Sequence, residues 1–234
     1  MSKKRQRPRR RSEPPSAIVV EQPNQVTSPV LRAIREALGY NEIGFEPVGL
    51  ARGEIKFELS GTPIRAMARE SYAVFPLLQL EAELFWLGAA LVFDGELGNY
   101  RLKSISLLVF KGEAFDERKI TLFRAEWDNL ESGTIHAQPH WHVYPRVIES
   151  RVSVDMDSDT LASHSDLLDF QVESTVEEDP EWGTASNFHY AMSSRWAIEG
   201  IGHHQAHLTE IDDLIRWIKS CIGYSRDQLR WLFT

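Results

Sequence analysis

An α+β fold, an antiparallel β-sheet meander flanked by an N-terminal helix and C-terminal helices, is predicted by three features of the sequence. The middle of the chain alternates apolar and polar residues with period two. Both flanks carry apolar residues at helical spacing, and Gly, Pro and Asp-Gly steps punctuate the segments. Hydrophobic residues make up 42% of the 234, enough to bury a sizeable core.

The first helix is predicted to open at Ser28-Pro29, with Ser as N-cap and Pro at the first helical position. Leu31, Ile34 and Leu38 form its apolar stripe and Gly39 ends it. Residues 1–27 are expected to be a disordered basic leader, and residues 28–234 a single α+β domain. Within the leader, Ala17–Val20 is an apolar patch suited to an edge strand or a partner surface.

In Glu54–Leu59, Ile55, Phe57 and Leu59 alternate with charged residues, which predicts a half-buried strand. Gly61-Thr62-Pro63 turns into a second strand over Ile64–Ala68. Residues 77–93 alternate in a way that favours strand over helix, and Asp94-Gly95 is expected to be the turn after them. Tyr100–Phe110, Lys119–Asp128 and Pro139–Val147 complete the meander. Residues 150–182 are polar and acidic, hence a loop with one short strand over Leu167–Val172. Asp155, Asp157 and Asp159 lack the downstream Gly and Glu of a calcium loop and are expected to be solvated. At the C-terminus Thr209 and Asp212 resemble a capping box, followed by Ile211, Leu214, Ile215, Ile218 and Ile222. Gly223 is predicted to break this helix, and Ser225 with Gln228 to open a last short one carrying Leu229 and Leu232. Cys221 falls on the apolar stripe, as a core thiol.

The single cysteine excludes an internal disulfide, and no apolar run approaches the roughly 20 residues of a membrane helix. No apolar segment of a signal peptide follows the cationic N-terminus, so a soluble, cytoplasmic protein is expected. Residues 3–11 hold seven of the 26 basic residues, leaving 19 basic against 34 acidic elsewhere. Such an arm suits nucleic-acid phosphate through counterion release, and it equally suits a solubilising extension.

All eight histidines lie between positions 136 and 207, most densely in IHAQPHWHVYPR, residues 135–146. On a strand, His140, His142 and Tyr144 share one face and Trp141 the other, so Trp141 is expected in the core and the histidines on a polar face. Arg124, Glu126 and Asp128 share a face in the same way, opposite Phe123, Ala125 and Trp127. An in-register hairpin would set Asp128 near His140, Glu126 near His142 and Arg124 near Tyr144, and a slip of two residues would keep the faces while changing the partners. His136 and Gln138 stand at the loop end of the same region, and His189, His203, His204 and His207 have no local tie to it.

Two chemistries suit this face. His140 and His142 can act as an acid–base or nucleophilic pair oriented by Glu126 and Asp128, with Arg124, Arg146 and Tyr144 on a phosphate. The same His140, His142, Glu126 and Asp128 also suit Zn²⁺, Mn²⁺ or Fe²⁺, a divalent metal cofactor. The bland alternative is the wet face of a half-covered sheet.

QPHWHVYPR, residues 138–146, resembles the signature of the histidine-triad (HIT) nucleotide hydrolases and transferases. That resemblance implies His140 as the nucleophilic histidine, His142 as the third, and Gln138 in place of the first. The layout of residues 119–233 is also similar to TumE-type bacterial toxins, with an acidic strand, a loop, a Pro-His-x-His strand and C-terminal helices. Both resemblances imply nucleotide or RNA phosphates as the target of this strand, and the leading expectation is a hydrolase of toxin or defence type, cleaving phosphodiester or phosphoanhydride bonds of RNA or nucleotides. Its partner would be nucleic acid or nucleotide, held by the arm 3–11 and the histidine face. A metal-dependent hydrolase on the same face is the alternative. So is a non-catalytic subunit of a toxin–antitoxin or defence complex, with structural histidines and a protein partner.

Overall fold

The computed structural model describes residues 18–51, 53–68, 70–81, 83–129, 138–144, 189–192 and 208–233. They form an α+β fold whose centre is a nine-stranded antiparallel sheet with a helix near each end of the chain. The elements in order are β1 (Val19–Val20), α1 (Asn24–Leu38), β2 (Gly44–Ala51), β3 (Glu54–Ser60), β4 (Arg65–Met67), β5 (Ser71–Ala73) and β6 (Phe75–Leu80). There follow β7 (Glu83–Glu96), β8 (Asn99–Lys111), β9 (Ile120–Asp128), β10 (His140–Val143), β11 (His189–Ala191) and α2 (Ile211–Phe233).

The strand order is β11-β10-β9-β8-β7-β3-β2, with β1 added to β8 and β6 to β7; β4 and β5 pair separately. Pairing of β8 with β9 ends at Ser104, and β1 takes over opposite Tyr100 and Arg101. The sheet separates two apolar clusters. On one face Leu87, Ala89, Leu91, Ile105, Leu107, Val109, Ala125 and Trp127 pack beneath the helices, against Val30 and Ile34 of α1 and Leu214, Ile218 and Ile222 of α2. On the other, Trp86, Ala90, Leu108 and Phe110 pack with Ala66, Tyr72 and Val74. Lys119 is tied into this second face, its Nζ donating to the carbonyls of Arg65 at 2.8 Å, Ala114 at 3.1 Å and Asp116 at 2.5 Å.

Several sequence expectations change. The expected leader boundary moves, because Ile18 is buried, β1 pairs with β8 and α1 starts at Asn24. Ser28-Pro29 therefore lies inside α1, whose first turn is closed instead by the Pro23 carbonyl accepting from Val26 and Thr27. Pro29 deprives only the carbonyl four residues back, that of exposed Gln25, where solvent can replace the bond. Gly39 ends the helix as expected, in the left-handed region at φ 82°.

Residues 77–93 are strand, divided into β6 and β7 by a tight turn at Glu81, where φ is 47°. Asp94-Gly95 is not the turn. β7 continues to Glu96 and the chain reverses at Leu97-Gly98. Gly95 is required within the strand, since a Cβ there would lie 2.2 Å from the Asn99 carbonyl oxygen. Gly223 does not break the C-terminal helix, and no second helix opens at Ser225. α2 runs unbroken from Ile211 to Phe233 because its buried stripe of Leu214, Ile218, Cys221, Ile222, Ser225 and Leu229 passes through Gly223 in phase. Leu232 is exposed rather than part of that stripe. No described helix is long and apolar enough to cross a membrane.

The arm 3–11, His136, Arg146, the aspartates 155–159, the strand expected at 167–172, and His203, His204 and His207 lie outside the described residues.

Candidate functional site

β9 and β10 pair antiparallel, so the predicted hairpin partners are correct and their register is the two-residue slip. His140 stands opposite Glu126 and His142 opposite Arg124. Asp128 accordingly does not face His140, nor Arg124 Tyr144, whose backbone N–H donates to the Leu122 carbonyl at 3.1 Å. The register places Gln138 beside Asp128, and the Gln138 carboxamide oxygen accepts from the Asp128 backbone N–H at 2.8 Å. Periodicity alone is blind to this slip, since shifting by two preserves every face.

Cross-strand pairing lines up Glu58, Ala90, Ser106, Glu126 and His140 in one row across five strands. Leu108, Arg124 and His142 form the neighbouring row, which also reaches backbone position 189 on β11. Both rows lie on the sheet face opposite the helices, with the second apolar cluster.

This face is not wet. His140 is 0% exposed and His142 6%, while Trp141, expected in the core, is only half-buried. Trp141 lies on the helix side, its ring 5.5 Å from Phe123 and 5.8 Å from Tyr224 between centroids. The histidines can be buried because they hold one another and a carboxylate, which offsets the lost hydration.

Three side chains converge on a point. His140 Nε2 and His142 Nε2 are 2.8 Å apart, His142 Nε2 is 2.9 Å from Glu126 Oε2, and His140 Nε2 is 3.6 Å from that oxygen. The second oxygen, Glu126 Oε1, accepts from Ser106 Oγ at 3.0 Å, which fixes the carboxylate plane. Arg124 Nη2 lies 2.6 Å from Glu126 Oε2 and 2.9 Å from His142 Nε2. Burial pushes the Glu126 carboxyl up. The neighbouring His140 and His142 imidazoles and the charge of Arg124 outweigh it and hold Glu126 well below the ordinary carboxylate range. Asp128 moves the other way, raised by its burial and then by the Glu126 charge.

Glu126, His140 and His142 present one donor atom each within 4.8 Å of one another, and Asp128, expected among the ligands, is not in that set. Four-coordinate zinc with bonds of about 2.0–2.1 Å needs its ligand atoms roughly 3.3 Å apart. The observed 2.8, 2.9 and 3.6 Å bracket that figure. All three separations are of neighbouring-ligand type, so the donors would occupy one side of a coordination sphere, where the Arg124 guanidinium now contacts two of them.

Ser106 is the site residue that sequence reasoning missed. Its signal was present, because Ser104 and Ser106 flank Ile105 with period two just before the apolar run Leu107–Phe110, but only the β8–β9 register shows what they face. Compared with protein-family models, curated proteins and solved structures, the chain matches none.

Proposed function

We propose that this protein is a divalent-metal-dependent hydrolase whose ion is held by Glu126, His140 and His142. The observation that carries the reading is the convergence of two imidazole nitrogens and one carboxylate oxygen within 2.8–3.6 Å of one another in a buried position.

Hydrogen bonding alone leaves this cluster frustrated. His142 Nε2 touches an imidazole nitrogen, a carboxylate oxygen and a guanidinium nitrogen at once. If it carries a proton it serves Glu126 but meets the Arg124 donor head-on. If it does not, it accepts from Arg124 but sets a lone pair against the carboxylate. A shared cation resolves that conflict, because all three donors then point lone pairs at it.

The same distances disfavour a metal-free acid–base pair. An acid and a base that serve the attacking and leaving oxygens, each from about 2.6–3.2 Å, work from opposite sides of the phosphorus and need a gap that admits the substrate between them. Nitrogens at 2.8 Å leave no such gap. A divalent ion in this ligand set supplies Lewis acidity to polarise an ester and acidify water. The chain contributes the rest: Ser106 holds Glu126 in plane, and burial of His140 and His142 excludes competing water.

Equilibrium dialysis of purified protein against Zn²⁺, Mn²⁺ or Co²⁺ should saturate at about one bound equivalent, and His140→Ala and His142→Ala should bind none while keeping their circular dichroism. Hydrolysis of p-nitrophenyl phosphate should follow metal content and stop with chelator. Absence of stoichiometric metal would overturn the reading, and chelator-resistant hydrolysis lost in His140→Ala would favour the metal-free acid–base scheme.

A further inference from the structure

The Arg124 guanidinium stands where the proposed ion's ligands point. Its Nη2 contacts Glu126 Oε2 and His142 Nε2, two of the three donor atoms. A guanidinium has only N–H donors and His142 Nε2 has a single lone pair, so the His142 contact occupies the lone pair a metal would need. The ion and this position of Arg124 are therefore mutually exclusive. Glu126 is the less movable partner, because Ser106 holds its other oxygen.

We infer, resting on the metal reading above, that Arg124 is the resident cation of the site, and that on metal entry its displaced guanidinium becomes the binding site for a phosphoryl oxyanion beside the ion. Two observations beyond the exclusion support this. The Arg124 Nε is buried and makes no hydrogen bond among the described residues, although Nη2 of the same group makes two polar contacts. Nε and Nη2 form the side-on edge of the fork that grips two oxygens of a phosphate or carboxylate, and a guanidinium locked on the triad presents only half of it. The second observation is charge. Glu126 and Arg124 form a compensated pair, their side chains only 14% and 20% exposed. Exchange for a divalent ion adds two positive charges while Arg124 stays tethered to β9. A buried excess of that size is costly unless a ligand compensates it, and a phosphoryl dianion carries the matching charge.

The substrate class named by this geometry is therefore a phosphate monoester or a terminal phosphoryl group, whose free oxygens can bridge metal and guanidinium. Metal and anion should bind cooperatively, each making the other's site available.

Co²⁺ titration of the full chain, with and without inorganic phosphate, tests the exchange. Arg124→Gln should bind Co²⁺ at least tenfold more tightly than wild type without phosphate, because the competing cation is gone. Phosphate should tighten Co²⁺ binding severalfold in wild type and have no effect in Arg124→Gln. Arg124→Lys keeps the charge but not the fork. It should bind Co²⁺ about as weakly as wild type and show little phosphate response, which keeps the idea testable if the glutamine variant does not fold. Equal or weaker Co²⁺ binding by Arg124→Gln would overturn the exchange, and an undiminished phosphate response in both variants would overturn the oxyanion subsite. Failure of wild type to bind Co²⁺ under either condition would strike the metal reading itself.

Discussion

His140 is wholly buried while its neighbour Trp141 keeps part of its ring in solvent. Side-chain polarity argues for the reverse. An imidazole pair with a carboxylate partner loses little by burial, and an indole that packs edge-on against Phe123 and tilted against Tyr224 needs no deeper cover. Alternation in the sequence assigned the faces correctly, but the degree of cover on each face depends on what packs there, which alternation does not record. Cys221 was legible because it sits in phase with a long apolar stripe, and it is 5% exposed. Burial pushes its thiol up to about 12. A folded-state value above the unfolded one binds the proton more tightly in the native protein. The resulting stability is fully present below the unfolded value of about 9 and is lost as pH rises toward 12. Cys221→Ala should flatten the alkaline limb of a stability-against-pH curve from denaturant titrations. An unchanged limb would show that the thiol does not govern it.

Element boundaries were the weakest part of the sequence-based expectations, and each miss has a physical cause. Ser28-Pro29 and Gly223 are strong local signals that tertiary packing overrides. α1 gains an extra turn that buries Val26 and Thr27, and α2 keeps its stripe in register across the glycine. The β9–β10 register was undetermined between values two apart, and the chain takes the one that sets Gln138 against Asp128. Gly223 has a helical backbone and nothing within 4 Å of the position a Cβ would take. Gly223→Ala should therefore stabilise the protein by about 0.5–1 kcal/mol, the usual gain for removing glycine from a helix interior. Thermal melts would check it, and a loss of stability would mean that α2 bends there.

The sheet has a different neighbour on each side: two helices on one, and on the other the cluster around Trp86, Leu108 and Phe110 together with the charged site. The α+β class, the meander and the flanking helices were legible because they rest on many residues repeating one period. The second buried face was not, since the local β4–β5 pair meets the main sheet through contacts remote in sequence, such as Tyr72 with Phe110 and Lys119 with the Arg65 carbonyl. Those separations also bear on how quickly the molecule assembles. β7 and β8 close over the Leu97-Gly98 turn and zip from Glu96–Asn99 outward, at small entropic cost per pair. The helix layer depends on contacts such as Lys219 with Glu36 and Arg226 with the Ala37 carbonyl, 183 and 189 residues apart. Loop closure on that scale comes late, so the nucleus should lie in the central hairpin and the helices should dock after the barrier. In stopped-flow chevrons, Leu108→Ala in β8 should mainly slow folding, whereas Ile218→Val in α2 should mainly speed unfolding. An Ile218→Val variant slowed chiefly in folding would place the helices in the nucleus. Helices that dock last and release first would set the half-life of the native state from the layer remote from the chemistry, and the His140–Glu126 face would persist only as long as α2 stays down.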